Sequence, residues 1–225
     1  MPHFETLERD LTGLVEGECS FDEETRSRYS TATSWYKIRP LGVFFPRSVD
    51  DIQAAVRFCH EYDISIIPRG AATGLAGQAI GMGIVFDFTR HMTGLRSVTE
   101  SSVDVDAGVV VGSLNTLLEP TGRFFPIVPT SQELCTIGGM IATNAAGAHG
   151  VKYGATKDHV LEISAVLANG ESVVFGKDTA ATPQPTGSLM ETICSGIPPL
   201  LFRNREPILS AFPKVQKNSS GYNLV

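Results

Sequence analysis

No uninterrupted apolar run in this chain approaches the ~18–20 residues of a membrane span, so no segment reads as a transmembrane helix. The opening stretch, MPHFETLERDLTG, puts acids where a secretory signal needs an apolar core. Positive charge is short: 18 Lys and Arg stand against 24 Asp and Glu, a net charge of −6, with a pI of about 5.4. That balance excludes general nucleic-acid binding, which needs a basic surface to displace counterions. It also means that any anionic ligand must find its positive potential locally. Cysteine is scarce and scattered: Cys19, Cys59, Cys135 and Cys194 form no CxxC pair and no Cys/His ligand spacing. They read as reduced thiols, and no metal site follows from them. These absences describe a soluble, cytoplasmic protein. What remains is an ordinary globular composition, 42% hydrophobic and 19% charged over 225 residues, enough for one large domain or two small lobes with a true core.

Residues 1–35 are polar, and the expectation there is a short helix followed by an irregular lead-in. Leu41 to Pro46, LGVFFP, reads as a buried strand. Ser48 is placed to cap a helix whose first turn holds Asp50 and Asp51, with Ile52, Val56, Cys59 and Tyr62 as its apolar stripe. Ile64 to Pro68, ISIIP, is a second strand, so this β-α-β order predicts a parallel pair. Gly83 to Phe88, GIVFDF, is a third strand. Beyond about residue 95 the pattern changes. Ser102 to Gly108 alternates apolar and polar as a half-exposed strand does. A short helix follows, with Val111, Leu114, Leu117 and Leu118 inward and Gly122 at its left-handed end. HVLEISAVLANGESVVF reads as a hairpin turning on the two residues Asn169-Gly170. Thr179 to Ser188 is a surface loop. The expected fold is α+β in two lobes: a small parallel α/β lobe over 36–95, then a larger lobe over 96–225 with mainly antiparallel strands.

Two segments carry the chemistry. PRGAATGLAGQAIG, Pro68 to Gly81, follows a strand and places Gly70, Gly74 and Gly77 in one short run. Successive peptide N–H groups in such a loop form a nest that suits a phosphate or diphosphate, with Arg69 for charge and Thr73 for a hydroxyl; a tight turn without a ligand is the plainer reading. Neither named nucleotide motif is met. No lysine occurs from Pro68 to Gly81, so there is no P-loop, and glycines spaced 4 and 3 do not make G-x-G-x-x-G. The second segment is PTSQELCTIGGMIATNAAGAHGVKYG, Pro129 to Gly154. Its small residues bury little apolar area. They let a flat group lie against the main chain, with Thr136, Asn144 and peptide N–H groups to bond it; close helix packing is the alternative. Two such loops, each beside a strand, favour one shared cofactor.

These paired stretches, followed by DHVLEISAVLANG, resemble the FAD-binding domain of the FAD-linked oxidase family, the vanillyl-alcohol oxidase type, from about Pro40 to Gly176. That family includes D-lactate dehydrogenases, the glycolate oxidase FAD subunit and 2-hydroxyglutarate dehydrogenases. The stretch RYSTATSWYKIRPLGVFFPRSVDDI is most similar to fusion proteins in which an FAD half precedes an iron-sulphur half. The resemblance implies that Pro68, Arg69, Gly70, Ala71, Ala72, Thr73 and Gly74 cradle the diphosphate, with Gln78 close by. It implies that Pro129, Thr136, Gly138 and Gly139 lie along the ribityl chain and ring. Asn144, Gly147, Gly150 and Tyr153 would complete the pocket, and Val160 would touch FAD through its backbone. Ala71 and Ala72 stand where many relatives have glycine; the expectation is that both keep ordinary φ. Covalently attached relatives often carry histidine at the position of Ala72 or Thr73, so FAD here is expected to be held non-covalently. No catalytic residue is assigned, and of the histidines only His149 is worth following. The resemblance further implies a cap domain beyond KNSSGYNLV that binds substrate, with iron-sulphur centres as a feature of a region outside this chain. The implied activity is oxidation of a 2-hydroxy acid such as D-lactate or glycolate, with electrons passed onward. The alternatives are the flavin domain of an NAD(P)H- or metal-linked reductase or hydroxylase, and a non-catalytic flavin-binding subunit. The apolar runs GIPPLLF and ILSAF lead to an expectation of self-association.

Overall fold

The computed structural model describes residues 4–215, 222 and 224. The stretch KNSSGYNLV therefore lies largely outside the described residues. In chain order the elements are α1 (Phe4–Thr12), β1 (Glu18–Ser20), α2 (Glu23–Arg28), β2 (Gly42–Phe45), α3 (Val49–Glu61), β3 (Ile66–Arg69) and β4 (Ile84–Asp87). There follow β5 (Leu95–Val98), β6 (Val103–Val105), α4 (Val111–Leu118), α5 (Ile137–Ala142), α6 (Gly150–Tyr153), β7 (Glu162–Val166), β8 (Ser172–Gly176), α7 (Leu189–Arg203) and α8 (Arg205–Ala211). No helix among the described residues is long and apolar enough to cross a membrane.

The first sheet has the order β1-β2-β4-β3. β2, β4 and β3 run parallel, and β1 adds antiparallel at the edge of β2. The expected β2–β3 pair is thus parallel but not adjacent, because β4 lies between them. Burial explains the exchange. All four residues of β4 are buried, as are those of β2, and a central parallel strand needs apolar residues on both faces. β3 contains Pro68, which lacks an N–H and belongs on an edge. Phe44 and Phe86 meet edge to face at 5.1 Å on one side of the sheet, among Leu7, Leu11, Phe21, Val56, Phe58 and Cys59. Val43, Phe45, Ile67 and Val85 fill the other face, against Tyr29.

The lead-in is more ordered than expected. β1 and α2 both fall within it, and Leu7, Leu11 and Phe21 belong to the first core. Asp51 holds it in place: this buried carboxylate accepts from the amides of Glu16 (2.7 Å) and Arg47 (2.8 Å). Ser48 caps α3 as expected, its hydroxyl accepting from the Asp51 amide at 3.1 Å.

The second lobe rests on two antiparallel pairs, β5-β6 and β7-β8. Its core gathers Val109, Val111, Leu114, Leu118, Ile127, Cys135, Ile137 and Met140. Leu117 is not part of it; it lies 57% exposed on the outer face of α4. The β7–β8 turn is one residue longer than expected. Leu167 and Glu171 close it, with the Gly170 amide donating to the Leu167 carbonyl at 2.8 Å. Gly170 takes φ +82, the left-handed third position of a three-residue loop. The carbonyl of Gly170 in turn accepts from Gln53 (2.9 Å) and Arg57 (3.2 Å) of α3, which joins the two lobes.

Candidate functional site

The glycine loop leaves the C-terminal end of β3, the edge at which open parallel sheets hold their ligands. Arg69 does not reach out from it. Its guanidinium donates to the carbonyls of Tyr29 (3.3 Å) and Ala79 (3.2 Å), tying the two ends of the loop together. It lies over the Tyr29 ring at 4.8 Å. Burial holds its pKa below the ordinary value, with the neighbouring Tyr29 and Asp87 opposing. Tyr29 donates to the buried Asp87 at 2.6 Å, and Asp87 also accepts from the Thr89 amide and hydroxyl.

Gly70 packs directly on the second segment: a Cβ there would stand 2.1 Å from Thr136 Oγ1. The two sequence motifs therefore meet at one contact. Beyond it, Ala71 is exposed and Ala72 is buried with φ +55, against the expectation of an ordinary φ. The loop needs a left-handed residue there whether or not the side chain favours it, at a cost of ~1–2 kcal/mol. Gly77 is left-handed too, at φ +81. Thr73 and Gly74 are half-buried, and Gln78 reaches back over Gly74. From Ala71 to Gln78 no peptide N–H meets an acceptor among the described residues. Successive unpaired amides on a chain bent by positive φ make a concave donor surface fit for an anion.

The second segment is partly committed to itself. Thr136 is 2% exposed and caps α5, its hydroxyl accepting from the Gly139 amide at 3.3 Å. The amides of Ile137 and Gly138 already donate to Val109 and Ala107 (2.8 Å each), so the start of α5 does not offer the free N–H groups expected of it. Gly138 is there for close approach, since a Cβ would come within 2.7 Å of Ala107. Gly139 differs: its Cβ would meet only Thr136 Oγ1, at 3.2 Å, which leaves its outer side open for a ligand.

Pro129 closes a turn by accepting from Gln132, and Gly147 lies flat on the Val128 backbone. Asn144 is left-handed at φ +45, and its side chain accepts from the Lys157 amide at 3.0 Å. It therefore shapes the segment rather than reaching outward. Gly150 is buried at the start of α6. The Tyr153 ring stands edge-on to Phe124 (6.0 Å) and to His149 (6.4 Å), and His149 is exposed. Val160 is extended, and its peptide groups have no partner among the described residues. Tyr29, Asp87 and the residues 33–36 beside the loop were not singled out by sequence. Their types are ordinary, and only their positions in the fold bring them here.

No group of three or more metal-ligating side chains occurs among the described residues. The open side of Gly139, the unpaired amides of 71–78 and the Gly70–Thr136 junction fit an extended, flat cofactor with an anionic middle.

Comparison with known proteins gives this arrangement a context. Residues 40–176 match the family described as FAD binding domain. The D-2-hydroxyglutarate dehydrogenase of Pantoea ananatis is 34% identical over 220 residues, covering 92% of this chain and 21% of that protein. Glycolate oxidase subunit GlcD of Bacillus subtilis is 36% identical over 169 residues, 72% of this chain and 36% of that one. The chain thus spans about a fifth of the length of the first of these relatives and about a third of the second. Among solved structures, an alkyldihydroxyacetonephosphate synthase superposes with a TM-score of 0.68 at 21% identity, over 85% of this chain and 40% of that one, which shows a shared fold.

Proposed function

This chain belongs to the FAD-binding domain family, and on that premise we propose that it holds FAD non-covalently as the flavin part of an oxidoreductase acting on a 2-hydroxy acid. The observation that carries the reading is the junction of the two loops at Gly70 and Thr136, with unpaired amides on one side and the open face of Gly139 on the other. In this reading the amides of Ala71 to Gly74 bind the diphosphate. Their positive ends, rather than a lysine or Arg69, offset its charge, which is how an acidic protein supplies local potential. Gly139, with Thr136 behind it, leaves room for the ribityl chain and ring. Gly147, Gly150 and Tyr153 form the far wall, and the peptide of Val160 meets the cofactor edge. FAD, when bound, supplies the two-electron chemistry, while the protein supplies position and electrostatics. No histidine stands at Ala72 or Thr73 to form a covalent link.

The relatives named for D-2-hydroxyglutarate and glycolate support a 2-hydroxy acid as the electron donor of the whole protein. Substrate anchoring and proton removal are assigned to a cap domain outside this chain, and electron transfer to an acceptor that such a protein carries or meets. Four unpaired cysteines accord with a reducing compartment, and the cytoplasm is the proposed location. The test is direct: flavin-free protein is titrated with FAD, then precipitated with acid. Saturable uptake followed by full release of free FAD is expected. Failure to take up FAD, or flavin retained in the pellet, contradicts the reading.

A further inference from the structure

The segment just ahead of the matched domain folds back on itself. Thr31 bridges Lys37 in antiparallel fashion, and the Ile38 amide donates to Ser30 at 2.9 Å. This strap meets the glycine loop on either side of Thr73 to Ala76. At one point the Thr33 amide donates to the Ala72 carbonyl at 3.1 Å. At the other the Tyr36 ring lies over Gly77, where a Cβ would come within 2.8 Å of the ring. Between these contacts Ser34 Oγ is buried with no hydrogen-bond partner, the one such side-chain atom among the described residues.

A buried hydroxyl without a partner is costly, and native structures leave few of them. Its surroundings indicate what it lacks. The carbonyl of Ala72 is already taken by Thr33, and the neighbouring loop amides of 71–78 are unpaired as well. The hydroxyl and this run of amides can all donate, and none of them meets an acceptor among the described residues. Ala72, strained at φ +55, belongs to that run and carries the carbonyl that holds the strap. One oxygen-rich anion would satisfy the hydroxyl and the amides together.

We propose that Ser34 is a phosphate-binding residue, its hydroxyl donating to an oxygen of the FAD diphosphate, with residues 33–36 closing one side of the loop. This deepens the FAD-binding reading and rests on it. The assignment predicts opposite effects on the two states of the protein. Without flavin, Ser34→Ala removes an unsatisfied polar atom and should leave the thermal midpoint unchanged or raised. With flavin, it removes a hydrogen bond to a charged group, and the Kd for FAD should rise about 10- to 100-fold. Ser34→Thr, which keeps a hydroxyl, should recover most of the affinity.

The experiment is an FAD titration of the 225-residue parent and both variants, paired with thermal unfolding of each in flavin-free form. Equal FAD affinity in Ser34→Ala overturns the proposal and leaves the FAD reading standing. So does weakened affinity accompanied by a lowered flavin-free midpoint, because the hydroxyl would then be supporting the strap rather than the cofactor. A parent chain that takes up no FAD overturns the FAD reading, and this proposal with it.

Discussion

At Ala72 three residue-scale effects compete. The left-handed backbone costs ~1–2 kcal/mol, while the buried methyl is worth ~0.8 kcal/mol. Glycine would add ~0.4–1 kcal/mol of unfolded-state entropy to be lost. These nearly offset, so Ala72→Gly should stay within ~0.5 kcal/mol of the parent in urea unfolding. Ala54→Gly, inside α3, should cost ~1 kcal/mol; equal losses at the two sites would show that Ala72 carries no strain. The glycines sort by what surrounds them. A Cβ at Gly74 first meets the flexible end of the Gln78 side chain, and one at Gly139 meets only Thr136 Oγ1. Both variants should keep the parent's circular dichroism and lose FAD uptake. Gly147→Val would drive a side chain into the Val128 backbone at 2.3 Å and should fail to fold. Normal FAD titrations of the Gly74 and Gly139 variants would remove those positions from the pocket. The same contrast marks what was legible in sequence. Runs of small residues advertise close approach whatever the fold. Ser34 and Tyr36 advertise nothing, because their importance arises from where one amide, that of Thr33, happens to dock.

The elements that could be read locally were those with local causes. The Ser48 cap and the stripe of α3 each follow from neighbours within a few residues, as does the place of the turn at Gly170, though not its length. β1, with only ECS in its sequence, exists because β2 offers it a ladder, and the placement of β4 between β2 and β3 is decided by burial across the sheet. Pro68 was the one readable warning that β3 is an edge. α3 also sets the response to alkali. Burial pushes the Cys59 thiol from its ordinary 9.0 up to about 12, and that of Cys19 up to about 11. Above pH ~9 the unfolded chain gives up protons that the folded chain keeps, so stability is full below pH 9 and falls as pH rises towards those values. Cys59→Ala should flatten this fall in urea midpoints measured from pH 8 to 10.5; an unchanged slope would mean that the thiol is not responsible. At neutral pH, Asp51→Asn should cost ~2–4 kcal/mol, since an amide NH2 would face a backbone donor in place of a carboxylate oxygen. Ser48→Ala should cost only ~1 kcal/mol.

The whole chain exposes 13880 Å², against about 10,000 Å² expected of a compact monomer of its mass. Part of the excess is apolar: Ile197, Leu200 and Phe202 of α7 and Leu209 of α8 are 47–77% exposed. The isolated chain should therefore self-associate at micromolar concentration, and Phe202→Glu with Leu209→Glu should return it towards monomer in sedimentation velocity. A parent that sediments as a monomer would refute this. The flavin-loaded chain should show no reduction by D-lactate or D-2-hydroxyglutarate under anaerobic conditions, because the proposed reading puts substrate anchoring in a cap domain outside it. Bleaching of the flavin by either acid would place the catalytic groups inside these 225 residues. The strap also carries an optical probe. Trp35 is the chain's single tryptophan and is fully exposed in the folded state. An indole already in water loses no burial when the protein unfolds, so its emission should hardly move through a transition that circular dichroism records in full. The same indole, standing beside the loop proposed for the diphosphate, should dim as flavin arrives: blind to unfolding, it is a reporter of loading.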